Sequence, residues 1–226
     1  MTLSTVARSL QPPGITPENE VIVQLSEEDY TKSWAAGAMR LLANLHKNDA
    51  PSYRHGANQP EHIAQPLAVM GEVAVARHLG LGWDWNKAVW DASDHHANRN
   101  KADVGANIEV RRVRNLRQKP SLRSRQCGRN LAVFFVYPMP PEYLQVKILG
   151  WVPQDEVWGD CIPAIYNGEP SRESRQVPHE LFRPCTCITG GKHQSSSQDV
   201  NWTPPPAVLG ALIGDILDGT KQKEDE

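Results

Sequence analysis

Residues 131–137, Leu-Ala-Val-Phe-Phe-Val-Tyr, form an unbroken apolar run. A run of that length, rich in aromatic and β-branched side chains, predicts a strand buried on both faces. Such a strand needs a neighbour on each edge and a covering layer on each side, so the rest of the chain must build around it. Tyr143 to Trp151 alternates apolar and polar residues and predicts a second strand; Val21 to Leu25 predicts a short one earlier in the chain. Between these the period is helical. Ser26-Glu27-Glu28-Asp29 reads as a capped helix start, and Tyr30, Trp34, Leu41 and Leu45 carry one stripe over about residues 27–47. Pro66 suits the first turn of a second helix, whose apolar positions Leu67, Met70, Val73, Ala74 and Leu79 lead to a stop at Gly80. Helix, helix, then several strands predicts an α+β fold, a single domain over residues 21–188.

The ends have another composition. Residues 1–20, with Pro12-Pro13-Gly14 and Pro17, predict a flexible arm. Residues 189–206 read as a linker, followed by a short amphipathic helix at Ala207 to Leu217 and a charged tail to Glu226. No apolar run approaches the roughly 18 residues of a membrane span, and the N-terminus lacks the apolar stretch of a signal peptide. Four cysteines among 226 residues are too sparse for a disulfide scaffold, so the expected compartment is the cytoplasm. A formal charge of −2 excludes a uniformly basic, histone-like binder.

Charge is nonetheless uneven. Between Arg99 and Arg129 ten cations face only Asp103 and Glu109, a net of +8, so the remainder of the chain carries −10. Arg112, Arg114, Arg117, Lys119, Arg123, Arg125 and Arg129 are the candidate contacts to a phosphate backbone. The alternative is a solvated loop, Asn115 to Asn130, that is basic only because loops are polar.

The acids in this region suggest chemistry. Glu72 interrupts a helical flank of small apolar residues, Ala68, Val69, Val75 and Ala76, where a carboxylate needs a partner. An ordinary salt bridge would satisfy it, and so would a metal. If Gly105-Ala106-Asn107 is a three-residue hairpin loop, Asp103 and Glu109 lie opposite one another, and two such carboxylates repel unless a cation joins them. Glu109 and Arg111, two apart on a strand, share a face. Oxygen ligands of this kind favour magnesium or manganese over zinc.

Glu72 within Gly71-Glu72-Val73-Ala74-Val75-Ala76, then Asp103, then Glu109-Val110-Arg111, resembles the PD-(D/E)XK nuclease superfamily. The stretch Asp103-Val104-Gly105 to Glu109-Val110-Arg111, followed by apolar strands and Gly150-Trp151-Val152, is similar to small uncharacterised phage proteins assigned to it. The resemblance spans about residues 60–155. It implies a restriction-endonuclease-like core, a mixed central sheet flanked by helices. It also implies catalytic roles for Glu72, Asp103, Glu109 and Arg111, with the three acids holding Mg2+ or Mn2+. Two positions depart from the pattern: Ala102 stands where the name-giving proline precedes the aspartate, and Arg111 stands where the family has lysine. Arginine keeps its proton throughout the working range, so Arg111 is not a base; it can stabilise charge on phosphorus.

The resulting expectation is a metal-dependent nuclease hydrolysing DNA. The alternatives are a catalytically inactive nuclease-fold protein that binds nucleic acid or a host defence protein, and an interaction module working through residues 189–226. DNA is the expected partner, with a homodimer or a host protein as further possibilities, in the host cytoplasm if the chain is phage-encoded. Weaker candidates are a thiol site from Cys161, Cys185, Cys187, His179 and His193, a proton-transfer role for His95 or His96, and base stacking by Trp83, Trp85 or Trp90. Packing in the core is the better reading of the tryptophans and thiols.

Overall fold

The computed structural model describes residues 20–46, 61–85, 101–166 and 168–185. The expected N-terminal arm, the linker, terminal helix and tail, together with Trp90, His95, His96, Cys187 and His193, lie outside them. The elements are β1 (Val21–Gln24), α1 (Glu27–His46), α2 (Glu61–His78), β2 (Ile108–Arg112), β3 (Ser121–Arg123), β4 (Ala132–Met139), β5 (Gln145–Pro153), the single turn α3 (Gln154–Val157), β6 (Ile162–Tyr166) and β7 (Glu169–Gln176). The fold is α+β, with a mixed sheet. No helix among the described residues is long and apolar enough to cross a membrane.

The principal sheet has the order β1-β5-β4-β2. Its β1–β5 and β5–β4 pairs are antiparallel, and β2–β4 is parallel. The apolar run at 131–137 is therefore the heart of a central strand, and Val133, Phe134, Phe135 and Val136 are wholly buried. Alternation divides them. Phe134, Val136, Val146 and Ile148 join the cluster that holds the buried face of α2. Val133, Phe135, Leu149 and Val152 join a second cluster with Leu122, Val157 and Val177. A parallel pair needs a crossover connection. Here the chain leaves β2, forms β3 and a 3-10 turn at Ser124–Gln126, and returns as β4. β3 belongs to a separate antiparallel sheet of order β3-β7-β6, so among the described residues α1 and α2 lie on one face of the principal sheet, and this second sheet with the single turn α3 lies on the other. Part of Asn115 to Asn130, which the alternative reads as a solvated loop, is thus ordered as β3, because Leu122, wholly buried, anchors it in the second cluster.

The first helix follows its sequence. Ser26 Oγ accepts the Asp29 N–H at 3.0 Å, and three acids occupy the first turn, where they complement the helix dipole. The second begins at Glu61, five residues before the start that Pro66 suggests, and Pro66 lies inside it. A proline there leaves out one ladder hydrogen bond and crowds the preceding turn. Pro66 lies at the crossing with α1. Gly37 lies so close that a Cβ at that position would be 2.3 Å from the Pro66 nitrogen and 2.5 Å from its Cα. Gly71 plays the same part on the opposite side of α2, where a Cβ would come within 2.6 Å of Val136 Cγ2. Two glycines thus let α2 sit close both to α1 and to the sheet.

Candidate functional site

The hairpin before β2 forms at the expected place. Val104 N–H donates to the Ile108 carbonyl at 2.9 Å and Ile108 N–H returns the bond at 3.2 Å, closing the loop Gly105-Ala106-Asn107. Gly105 takes φ +57°, the left-handed conformation that costs glycine least. Asp103 and Glu109 follow this bridge as neighbours across the hairpin. The Asp103 carboxylate lies along the strand edge, where Oδ2 accepts the Val110 N–H at 2.8 Å. β2 is the outer strand of its sheet, so Asp103 supplies an acceptor where no neighbouring strand does.

The parallel register sets Glu109 beside Val133 and Arg111 beside Phe135, on the face turned away from the helices; Val110, beside Phe134, faces α2. Glu109 is buried, and its Oε1 accepts from Gln126 Nε2 at 2.5 Å and lies 2.9 Å from Arg111 Nη2. The Gln126 carbonyl in turn accepts from the same Arg111 nitrogen. Both ends of one buried amide are thereby occupied, which gives the three side chains a single mutual arrangement. Sequence reasoning missed Gln126. It sits in a three-residue 3-10 turn within a basic stretch, where no periodicity marks it as buried.

Glu72 has a different setting. It is buried on α2, and both its oxygens accept from Arg40 of α1, Nη1 to Oε1 and Nη2 to Oε2, each at 2.8 Å. The Arg40 guanidinium also lies 5.9 Å from the centre of the Trp83 ring. Glu72 is therefore on the helix side of the sheet, whereas Glu109 is on the far side, and the structure does not bring the two together. Among the described residues no group of three or more His, Cys, Asp and Glu side chains is placed to hold a metal. Magnesium commonly takes only one or two carboxylates and completes its shell with water. Glu72 has both oxygens on Arg40, Glu109 Oε1 is engaged by Gln126 and Arg111, and Asp103 Oδ2 by the Val110 N–H.

Beside the hairpin lies an open cleft of about 440 Å³, lined among others by Trp83, Asp84, Lys101, Asp103 and Gly105. Asp84 was not anticipated, since it belongs to an irregular segment after α2 that only tertiary folding carries to the hairpin.

The basic residues extend from the end of β2. Arg112 is half-buried, and burial, followed by the neighbouring charge of Arg114, lowers its pKa. Arg114, Arg117, Lys119 and Arg125 are exposed; Arg123 and Arg129 are half-buried. Side chains shape the turns between them. Gln118 Oε1 accepts the Arg114 N–H at 2.7 Å, and Asn115 Oδ1 accepts the Arg117 N–H at 2.9 Å. Asp155 accepts the Gly128 and Asn130 N–H groups, each at 2.7 Å. The cations therefore stand on a shaped surface.

The tryptophans and thiols that lie among the described residues pack. Trp83 and Trp85 are buried in the helix-side cluster, edge to face at 4.6 Å. Cys185 lies in that cluster and Cys161 in the other, so these two thiols do not share a site. Burial pushes the Cys161 thiol up to about 11, whereas Cys127 is half-exposed. A chromogenic disulfide reagent at pH 8 is accordingly expected to modify Cys127 well before Cys161, because the thiolate is the reactive form. Mass mapping that finds Cys161 labelled first would contradict this placement. Among known proteins, the chain matches no family model, no curated protein and no solved structure.

Proposed function

We propose that this chain is a metal-dependent nuclease of the PD-(D/E)XK type acting on DNA, with Asp103 and Glu109 as its metal ligands and a restriction-endonuclease-like core. The observation that carries the reading is the composition of one strand edge. Glu109 and Arg111 pair on β2, Asp103 accepts the Val110 N–H that lies between them in the chain, and the exposed Arg114, Arg117, Lys119 and Arg125 follow. A carboxylate pair beside clustered cations is what cleavage of a polyanion requires: one group holds a cation and the other draws in the backbone. Magnesium or manganese bound there would acidify water and offset charge on the phosphate. Arg111 stays protonated and can donate to a phosphoryl oxygen on the same face. Arg112 to Arg129 would hold the strand.

One observation favours the second reading, a nucleic-acid-binding or host-protein-binding protein without cleavage. In this structure arginines engage both Glu72 and Glu109, as in a domain whose acids have become structural. Three preparations separate the readings: the wild type, Asp103→Ala, and the charge reversal Arg117→Glu/Lys119→Glu, each with linear and circular DNA and manganese. The nuclease reading expects cleavage by the wild type, loss of at least a hundredfold in Asp103→Ala with DNA binding retained, and loss of both in the charge reversal. Binding without cleavage in the wild type, abolished by the charge reversal, would establish the second reading. A folded Asp103→Ala that cleaves normally would sink the site assignment.

A further inference from the structure

Arg111 is held by side chains of the candidate site itself. Its Nη2 is shared between Glu109 at 2.9 Å and the Gln126 carbonyl, and its side chain remains 22% exposed. Its Nε–H is buried with no hydrogen-bond partner among the described residues. The guanidinium thus has donor capacity in reserve, yet its charge is met by a carboxylate two residues away on the same strand. A Glu–Arg pair presents no net charge to an approaching phosphate, so Arg111 contributes little to the basic field while Glu109 is ionised beside it.

We infer that Glu109 masks Arg111, acting as an internal competitor for the phosphate that Arg111 would otherwise bind, and that neutralising Glu109 turns Arg111 into a backbone contact. Gln126 makes this possible. Its carbonyl accepts from Arg111, so the guanidinium keeps an anchor on that face when the carboxylate's charge is removed but its acceptor oxygen is kept. The inference rests on the nucleic-acid side of the reading above and requires no metal and no cleavage.

The test is duplex DNA binding in EDTA across a salt series. Glu109→Gln preserves shape and can still accept the Gln126 N–H, but it removes the charge. Unmasking one cation is expected to tighten binding about fivefold to tenfold near 0.1 M salt and to steepen the slope of log K against log salt by about 0.9. Glu109→Ala, with a different steric demand, should show the same slope change, and thermal melts verify that both variants are folded. Two controls separate unmasking from a general gain of positive charge. Glu27→Gln, at an exposed acid in the first turn of α1, should change affinity less than twofold. In Glu109→Gln/Arg111→Gln the gain should disappear. A gain that persists without Arg111, or Glu109 variants that bind like the wild type, would overturn the masking. A wild type that binds no DNA, with Arg117→Glu/Lys119→Glu indistinguishable from it, would overturn the nucleic-acid reading and the masking together.

Discussion

Arg40→Leu is expected to lower the unfolding free energy by about 3–5 kcal/mol, because it strands the buried Glu72 carboxylate without its partner. Arg40 meets both oxygens of Glu72 at 2.8 Å, and the two side chains are only 13% and 6% exposed. Desolvating a carboxylate is costly, and two parallel charge-assisted hydrogen bonds are what offset that cost here. Replacing both partners, Arg40→Leu/Glu72→Leu, removes the stranded charge and should recover most of the loss. Urea denaturation reads both numbers as midpoint shifts, provided the slope is unchanged. The same double variant bears on function. Cleavage by the folded double variant would put Glu72 outside the site, as its geometry indicates, whereas its loss in a folded protein would return Glu72 to the metal. A single Arg40→Leu variant as stable as the wild type would show that water reaches the pair.

Gly37→Ala is expected to destabilise the chain by up to about 3 kcal/mol, against a helix-propensity gain of about 1 kcal/mol. The position is in the interior of α1, where alanine is ordinarily the better residue. Its Cβ, however, would stand 2.3–2.6 Å from the nitrogen, Cα and Cδ of Pro66, most of it backbone that cannot rotate away. The helices would have to separate at their crossing, and the loss should appear in a thermal melt as a lower midpoint. A melt raised by the substitution would mean that α1 and α2 cross less closely than described. Pro66→Ala is the companion measurement. It restores an N–H to α2 but leaves the close backbone approach, so it should not rescue Gly37→Ala.

These two contacts show where sequence reasoning reached its limit. Period and capping are local, so α1 appears where Ser26 and the Tyr30–Trp34 stripe place it, and the apolar run at 131–137 becomes the central strand. Pro66 marks a first turn only by local preference, and the helix starts five residues earlier, at Glu61. The second sheet was not legible either. β6 and β7 are largely exposed, without the alternation that marks a half-buried strand. At the site, the Gly105 hairpin and the shared face of Glu109 and Arg111 were readable because turn geometry and the two-residue strand period are fixed by covalent structure. Glu72 was flagged as a carboxylate that needs a partner, but the identity of that partner was not, since Arg40 lies 32 residues away in sequence. Gln126 and Asp84 had no signal in the sequence at all.

The sequence by itself determined the α+β class, the central strand, the hairpin and the concentration of positive charge after it, because each depends on neighbours within a few residues. Tertiary structure alone decided that α2 covers one face of the sheet and a second sheet the other. That division sends Glu72 to Arg40 and Glu109 to Arg111 and Gln126. The reason is packing: which carboxylate meets which cation depends on how closely two helices and two sheets approach, and that distance is set by contacts between residues far apart in the chain.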